Sequence, residues 1–382
     1  MKTHFKIAIC GAGPVGQSLA LQIVGAQFPA DDIVLIDAKT VEQSQQDVRT
    51  IALSYGSRQI LNQLGGWPIR AQAIQEIHVS RRGHFGRSFI RASDYDVPAL
   101  GYVARYADIN TPLQTQVNAQ HVHILRPAKV MQMHTLAKQI QLDLEDGRSI
   151  TADYVVQAEG GVFSEQSQRS HYRDYQQTAI ISHVKSSRAQ LERAFERFTE
   201  QGPLALLPHE EGYALVWCVK PELAQNLMAL SDADFLHALQ DAFGQRVGQF
   251  ISCSARFSFP LGLNAHALAN ESSPLRSVKI GNAAQTLHPV AGQGLNLGLR
   301  DAHNLAQCLL RFPLAQVSAN YDVKRKLDQK ATIHLTDNMA RIFTSSPDGS
   351  FLQSLLSGGL AALDLLPHAK GSLAKQMMFG WR

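Results

Sequence analysis

Three glycines in the pattern G-x-G-x-x-G are the first residues of the chain whose spacing could support chemistry. Gly11, Gly13 and Gly16 follow the apolar run Phe5–Cys10 and open a helical pattern over Pro14–Gln27. In such a turn the glycines allow a tight bend, close approach of a pyrophosphate and close packing of helix on sheet. The helix N-terminus presents free N–H groups and a positive dipole end to the phosphates. The spacing predicts a dinucleotide site, and a purely structural glycine turn is the alternative.

The acidic residue that such a site needs follows the next predicted strand. Ile33–Ile36 is a short apolar run, and Asp37 ends it, 26 residues after Gly11. A carboxylate at this place can accept a hydrogen bond from a ribose hydroxyl. Strand, glycine turn, helix and strand form a βαβ unit, which is typical of FAD sites and NAD(P) sites alike.

A second glycine motif narrows the choice of cofactor. The short predicted strand Val278–Ala284 runs into a Gly-Asn-Ala-Ala turn, and His288–Asn296 leads into the predicted helix Gln293–Leu310. Glycines at the mouth of a helix place bare N–H groups beside an electron-rich group. This group is either a phosphate or the pyrimidine edge of a flavin, whose negative charge on reduction a helix N-terminus stabilises. Glycines kept for close packing alone are the alternative.

The polar side chains of this motif allow two interpretations each. Asn282 either binds a ribityl or ribose hydroxyl or serves as a turn residue. His288 either acts as a proton donor or acceptor or has a positional role beside Pro289. Elsewhere, His121 and His123 share one predicted strand face, but no third ligand stands at a suitable spacing, so no metal site is predicted.

Six segments carry a resemblance to a known family: Gly11–Gly16, Arg49–Ser54, Ala194–Glu200, Gly202–Ala205, Leu215–Cys218 and Gly281–Ala302. They resemble the FAD-dependent aromatic hydroxylases (group A flavin monooxygenases). Within these, the chain is most similar to the ubiquinone-biosynthesis branch that hydroxylates 2-polyprenyl-6-methoxyphenol. The resemblance implies FAD as cofactor and NADPH or NADH with O2 as co-substrates. It implies that a flavin C4a-hydroperoxide hydroxylates the ring of a polyprenyl (methoxy)phenol.

The resemblance also assigns roles to residues of this chain. The adenosine diphosphate half of FAD is expected at Gly11, Gly13, Pro14, Gly16 and Asp37. The remaining cofactor contacts are expected at Arg49, Glu159, Gly160, Asn282, Pro289, Gly292, Gln293, Gly294, Leu295 and Asn296. Pro289 and His288 are the candidates closest to the chemistry.

Three positions depart from the family pattern. Glu159 stands where relatives usually have Asp, Arg105 where they commonly have Glu, and Pro112 where they have an Arg that helps to hold FAD. An added methylene moves the charge at Glu159 by about 1.5 Å, and displacements of this size can lower catalysis. A non-catalytic or weakly FAD-binding scaffold of the ubiquinone-biosynthesis complex therefore remains an alternative.

Composition limits the remaining choices. Of 382 residues 45% are hydrophobic and 18% charged, enough apolar material for a large core, and the net charge is +4. The scattered charge argues against a nucleic-acid partner. The triplet Lys324–Lys326 is most simply solvated, although it could touch anionic lipid. No apolar run approaches a membrane span or a secretory signal, and the four distant cysteines predict a reduced, cytoplasmic compartment.

The order of predicted elements gives the fold class: α/β, a Rossmann-like FAD-binding domain interleaved with a mainly antiparallel substrate domain, and a helical C-terminus. The FAD-binding part is expected over 1–72, 101–172 and 262–312, the substrate part over 73–100 and 173–261, and the helical region over 313–382. The substrate is expected near Leu204–Pro208 and Leu215–Trp217. Phe351–Leu366, interrupted by two glycines and an acid, predicts a core or interfacial helix.

The implied substrate bears on the partners. Because a polyprenyl phenol partitions into lipid, the enzyme is expected at the inner face of the membrane as a peripheral protein, or beside other ubiquinone-biosynthesis proteins. The sequence leaves homo-oligomerisation open. An FAD-dependent isoprenoid reductase is a second alternative function, and O2 uptake would distinguish it. A simple NAD dehydrogenase leaves the motif at Gly281–Asn296 unexplained.

Overall fold

A computed structural model gives the fold of the chain and describes residues 2–83, 87–160, 171–265, 276–288, 292–342 and 367–380. Within these ranges no helix has the length and apolar character needed to cross a bilayer. Pro289 and Phe351–Leu366, the segment predicted to form a core or interfacial helix, lie outside the described residues.

The strands and helices alternate through the first third of the chain, and strands dominate its middle. The strands are β1 His4–Cys10, β2 Ile33–Ile36, β3 Thr50–Ser54, β4 Gln72–Ile74, β5 Glu76–Arg81, β6 Arg87–Arg91, β7 Gly101–Arg105, β8 His123–Leu125, β9 Val130–Thr135, β10 Ile140–Leu144, β11 Ser149–Gln157, β12 His171–Ser186, β13 Arg193–Phe198, β14 Pro203–His209, β15 Gly212–Val219, β16 Phe250–Cys253, β17 Phe257–Ala265, β18 Ser277–Lys279 and β19 Gln285–Thr286. The helices are α1 Pro14–Gly25, α2 Val41–Gln45, α3 Tyr55–Gln63, α4 Tyr106–Ala119, α5 Pro221–Ala229, α6 Asp232–Phe243, α7 Gln293–Arg311, α8 Leu314–Ile342 and α9 Pro367–Phe379.

The first sheet is built around the predicted βαβ unit. Its order is β8-β2-β1-β11-β10-β9, with β18 also paired to β11. Strands β8, β2, β1, β11 and β18 run parallel, and β10 and β9 return antiparallel. Helix α1 connects β1 to the parallel strand β2, and Ile7 of β1 pairs with Ile33 of β2. Because the carboxyl ends of parallel strands share one edge, the glycine turn after β1 and the residues after β2 and β11 meet there.

The core explains why these strands read as continuous apolar runs. All four residues of β2 are buried, and so are Ile7 and Ile9 of β1. Both faces of the sheet are covered, which is the usual setting of parallel strands. One face packs on α1, α4 and α7, with Leu19, Leu113 and Leu305 fully buried between them.

The second sheet is the mainly antiparallel sheet that the sequence predicts. Its order is β19-β17-β12-β15-β14-β13-β5-β6, with β16 paired to β12, and among its pairs only that of β13 with β5 is parallel within the described residues. One face packs on α5 and α6 through residues such as Leu206 and Trp217. The opposite face carries the alternate residues and looks into a cavity. The boundaries of the two domains remain a prediction.

Two features differ from the sequence analysis. The first difference is helix α4, which the sequence does not predict. Pro112 stands in the interior of this helix, and the residues of the helix are polar on average, so the local signal for a helix is weak. Arg325, predicted to be solvated with its neighbours Lys324 and Lys326, is buried instead. Its guanidinium pairs with Asp301 on α7, which supplies the charge compensation that burial requires.

Candidate active site

The first glycine turn has no room for side chains. Gly11 has a φ of +113°, and a Cβ there would lie 2.5 Å from the carbonyl oxygen of Ala158 at the end of β11. A Cβ on Gly13 would lie 2.8 Å from the hydroxyl of Tyr106. These contacts explain why glycine stands at both positions, and they bring β1, β11 and α4 together around one turn.

The N-terminus of α1 is open toward the cavity. Gly13 is its N-cap and provides no side-chain hydrogen bond, and Pro14 occupies the first turn. Gly11, Gly13, Pro14 and Val15 all line the cavity. Uncapped N–H groups at a helix N-terminus bind anions, so this turn fits the pyrophosphate of a dinucleotide.

Gly16 has a different role from that of the two glycines before it. A Cβ on Gly16 would lie 1.9 Å from the carbonyl oxygen of Gly11, and the residue is not part of the cavity wall. It therefore allows α1 to begin close to β1, as the third glycine of this pattern does.

Asp37 lines the same cavity at the end of β2. Its Oδ2 accepts from the backbone N–H of Ala12 at 2.7 Å, and its Oδ1 accepts from that of Lys39 at 2.8 Å. An ionised carboxylate has about four lone-pair sites. Asp37 can therefore hold the glycine turn in place and still accept a hydrogen bond from a ribose hydroxyl.

Arg49 is held at the cavity by two neighbours. Its Nε and Nη2 donate to the carboxylate of Asp47 at 2.9 and 2.7 Å, and its guanidinium lies 5.0 Å from the ring centre of Tyr106. Burial opposes ionisation of Asp47, but the bonds from Arg49 outweigh it, so the pKa of Asp47 lies below its ordinary value. All three residues line the cavity, so the guanidinium of Arg49, paired with Asp47, is held in a fixed position in the cavity wall.

The second glycine motif lines the same cavity as the first. Gly292 is the N-cap of α7, has a φ of +59° and provides no side-chain cap. Gly292, Gly294 and Leu295 line the cavity together with Asn282. A second uncapped helix N-terminus thus faces the same space, where it can stabilise negative charge on a ligand.

Asn296 holds this second motif in place. Its amide donates to the carbonyl groups of Ala52 and Gly292 and accepts from the N–H of Ser54 at 2.8 Å. The side chain is buried and outside the cavity wall, and so is that of Gln293, which donates to Met377 at 3.4 Å. The geometry gives these two predicted cofactor residues a supporting position rather than an exposed one.

Glu159 and Gly160 follow β11 and line the same cavity as Asp37. Desolvation by the surrounding protein and then the charge of Asp37 raise the pKa of Glu159, while Lys129 lowers it. The other two departures from the family pattern, Arg105 and Pro112, are not part of the cavity wall. Arg105 instead donates to Glu210 at 2.7 Å.

His288 lies on the cavity wall and is buried. Its Nε2 is 3.0 Å from Oε1 of Gln177, and the Nε2 of Gln177 donates to the carbonyl of Gln201 at 2.8 Å. Because that second bond directs the oxygen of Gln177 toward the imidazole, Nε2 of His288 is assigned as the donor. The ring of Tyr175 packs edge-on against it at 5.1 Å. The adjacent Pro289 lies outside the described residues.

One cavity of about 960 Å³ joins these groups to the second sheet. Its far wall is formed by residues that alternate along the strands, and these are mostly apolar: Ile77, Val79, Ser88, Ile90, Ala194, Glu196, Phe198, Ala205, Leu207 and Val216. Within the two segments predicted to lie near the substrate, Ala205, Leu207 and Val216 reach the cavity. Leu204, Leu206, Leu215 and Trp217 point to the opposite face and pack on α5 and α6.

Glu196 is the acidic residue of this wall, and the sequence did not lead us to assign it to the site. It was noted only as part of a segment typical of the family. The signal was present: in the strand β13 a carboxylate alternates with Ala194 and Phe198, and period two places all three on one face. An acidic residue on an apolar strand face is a candidate functional group.

The site fits FAD on the residues present. Gly11 and Gly13 leave a cradle that a Cβ would fill, two uncapped helix N-termini face it, and Arg49 supplies a fixed positive charge. A metal is less well served. Among the described side chains, the group with donor atoms within 4.8 Å of one another is His183, His209 and Glu210, and Glu210 already binds Arg70 and Arg105.

Comparison with known proteins agrees with this site. The family model described as FAD binding domain matches residues 4–316. Ubiquinone hydroxylase UbiL of Rhodospirillum rubrum is 28% identical, covering 89% of this chain and 82% of its own. The 3-demethoxyubiquinol 3-hydroxylase of Escherichia coli is 29% identical, covering 85% of each chain.

The fold is also found among solved structures. The p-nitrophenol 4-monooxygenase PnpA of Pseudomonas putida superposes with a TM-score of 0.76 at 16% identity, over 100% of both chains. The predicted fold class, FAD as the cofactor and the assignment as an enzyme are thereby confirmed. O2 and reduced nicotinamide are the co-substrates that the family uses. The chain belongs to the FAD-binding-domain family, as an FAD-dependent monooxygenase related to the ubiquinone-biosynthesis hydroxylases.

Proposed function

We propose that the protein hydroxylates the aromatic ring of a polyprenyl (methoxy)phenol in ubiquinone biosynthesis, with O2 and NADPH or NADH as co-substrates. The observation that carries this proposal is the continuity of the cavity. Two glycine turns suited to a flavin dinucleotide open into the same space of about 960 Å³ as an apolar sheet face. A site of this kind places a bulky apolar ring beside a cofactor and away from water.

The residues of the chain divide the work of binding. The α1 N-terminus and Asp37 hold the adenosine diphosphate part, and Arg49 adds a positive charge. The α7 N-terminus, of which Gly292, Gly294 and Leu295 line the cavity, would stabilise the negative charge that the flavin carries when reduced. FAD, when bound, supplies the activation of O2. Pro289 and His288 remain the proposed residues nearest to the chemistry.

The apolar wall supports the class of substrate. Ile77, Ile90 and Leu207 present branched aliphatic side chains to the cavity, and Leu373 and Met377 of α9 close it from another side. These groups favour an aromatic ring that carries a hydrocarbon tail over a small charged phenol. Because such a substrate partitions into lipid, we also propose that the cytoplasmic protein meets it at the inner membrane face or through other ubiquinone-biosynthesis proteins.

The test begins with the visible spectrum of the purified protein before and after FAD is added. The proposal predicts retained flavin, and it predicts that a short-chain polyprenyl phenol stimulates NAD(P)H oxidation together with O2 uptake. Turnover without O2 would favour the isoprenoid reductase, which needs none. A folded protein that takes up no FAD would favour the scaffold.

A further inference from the structure

Among the described residues, the cavity wall that the second sheet forms carries a single carboxyl group, that of Glu196. Glu196 of β13 lies in a row that crosses five strands. It pairs with Val79 of β5 and Ala205 of β14, and the row continues to Ser88 of β6 and Val216 of β15. All five residues line the cavity. The neighbours of Glu196 on both sides are therefore small or aliphatic.

The carboxyl group of Glu196 has no hydrogen-bond or ion-pair partner among the described residues. The residue is half-buried, and its Oε1 is fully buried. Burying a carboxylate oxygen without a partner is costly, so this oxygen needs an explanation. It lies on a strand whose alternate side chains contact the cavity, which is where a ligand could supply the missing partner.

Few charged groups surround this carboxyl. Arg81 lies on the same face of β5 two residues beyond Val79, and Lys370 of α9 lines the cavity. Cys218 of β15 is buried, and burial and then the charge of Glu196 raise the pKa of its thiol. Burial raises the pKa of Glu196 itself to about 7. A group with this pKa can exchange a proton near neutral pH, as general bases do.

We propose that Glu196 is a catalytic residue that accepts the hydrogen bond of the substrate's ring hydroxyl and takes up its proton while the ring is hydroxylated. This inference rests on the proposed function. The O–H bond of the phenol breaks, its proton moves to the Glu196 carboxylate, and its electron pair stays on oxygen and enriches the ring. The ring carbon then forms its bond to one oxygen atom of O2 while the O–O bond breaks. The other oxygen atom leaves as water, and NAD(P)H supplies the two electrons.

The proton returns in the second half of the same event. The attacked ring carbon releases its hydrogen to water as a proton, and the ring becomes aromatic again. The Glu196 carboxyl gives its proton back to the first ring oxygen, which leaves two hydroxyl groups on the product. The carboxylate is thereby regenerated for the next turnover.

Ligand binding tests this role without turnover. The FAD-loaded protein is titrated with a short-chain prenyl phenol and with its methyl ether, which lacks the donated proton. The ratio of the two dissociation constants is measured for the unmodified protein, Glu196→Gln and Glu196→Leu. Glu192→Gln, an exposed carboxylate just before β13, is the matched control. Removing a carboxyl that has no partner should leave the fold intact.

We expect the unmodified protein and the control to prefer the phenol by about tenfold or more, the size of a hydrogen bond to a charged group. The preference should fall in Glu196→Gln and vanish in Glu196→Leu. The acid limb near pH 7 in the profile of kcat/KM should also disappear in Glu196→Gln. An undiminished preference in both variants would overturn this role and leave the proposed function standing. Failure of the unmodified protein to bind either compound would overturn both.

Discussion

Nε of Arg325 lies 2.8 Å from Oδ1 of Asp301, and both side chains are buried between α7 and α8. The second oxygen of Asp301 accepts from the backbone N–H of Gly281 at 3.0 Å and from Gln285 at 3.2 Å. The ion pair thus fixes the turn that carries Asn282 to the cavity. A buried pair of this kind positions a site, and removing one member leaves the other uncompensated.

Replacing Asp301 by Asn should therefore lower both stability and FAD affinity. We expect the free energy of unfolding to fall by about 3–5 kcal/mol, because Arg325 would remain buried without its counter-charge. Urea unfolding of the holoprotein measures this loss. The control is Lys185→Gln, which breaks an exposed pair with Glu211 and should cost at most about 1 kcal/mol. Equal losses in the two variants would contradict the structural role of Asp301.

The glycine turn makes a prediction that separates binding from folding. Gly13→Ala places a methyl group 2.8 Å from the Tyr106 hydroxyl, at the surface that a pyrophosphate must approach. We expect FAD affinity to fall by at least about tenfold, or about 1.4 kcal/mol. The matched control is Gly25→Ala at the end of the same helix, where a Cβ meets nothing within 4 Å. Fluorescence titration with FAD distinguishes the two, and an unchanged affinity in Gly13→Ala would argue against a pyrophosphate at this turn.

Arg49 should matter for the cofactor more than for the fold. Arg49→Ala removes the guanidinium that Asp47 and Tyr106 hold at the cavity, and leaves the Asp47 carboxylate to repel an anion. We expect about tenfold or greater weakening of FAD binding, measured by equilibrium dialysis of the apoprotein. Arg148→Ala is a close match, since Arg148 is exposed and binds the acid two residues before it, Asp146, in the same way. That variant should bind FAD normally.

Glu196 predicts a pH dependence of stability with a definite sign. Burial raises its pKa in the folded protein to about 7 from 4.5, so between these values the folded state holds a proton that the unfolded state has released. The contribution of Glu196 to the free energy of unfolding is fully present below about pH 4.5 and is lost as the pH rises through 7. The total loss is up to about 3 kcal/mol. Glu196→Gln should flatten that part of the curve. The measurement is urea unfolding of both proteins across this pH range. If the free energy of unfolding changed equally with pH in both, the pKa of Glu196 would not be raised in the folded protein and the prediction would be wrong.

The local sequence pattern was sufficient to predict a strand or helix where the segment buries all of its side chains or one of its two faces. The strand Ile33–Ile36 is predicted with its observed bounds, and Gln293 does begin α7 as predicted. Each of these segments has a strong period or a glycine at its boundary. Helix α4 was missed because Pro112 ordinarily argues against a helix interior, and tertiary packing of residues such as Leu113 overrides that preference.

The roles of several side chains depended on partners far along the chain. Asn296 contacts Ser54 across 242 positions, and Arg325 contacts Asp301 across 24 on another helix. Neither contact can be predicted from the spacing of residues along the chain. Asn296 was therefore predicted to contact the cofactor, and Arg325 was predicted to be solvated. The family resemblance located the cofactor motifs. The apolar surroundings of Glu196 became visible only when five strands were placed side by side.

The most direct test of the account is the fate of the oxygen atoms. The FAD-loaded protein is supplied with NADPH or NADH, a short-chain polyprenyl phenol and isotopically labelled O2. The mass of the product is then measured by mass spectrometry. The account predicts a ring-hydroxylated product that carries one labelled oxygen atom for each nicotinamide oxidised. An unlabelled product, or equal turnover in the absence of O2, would contradict it.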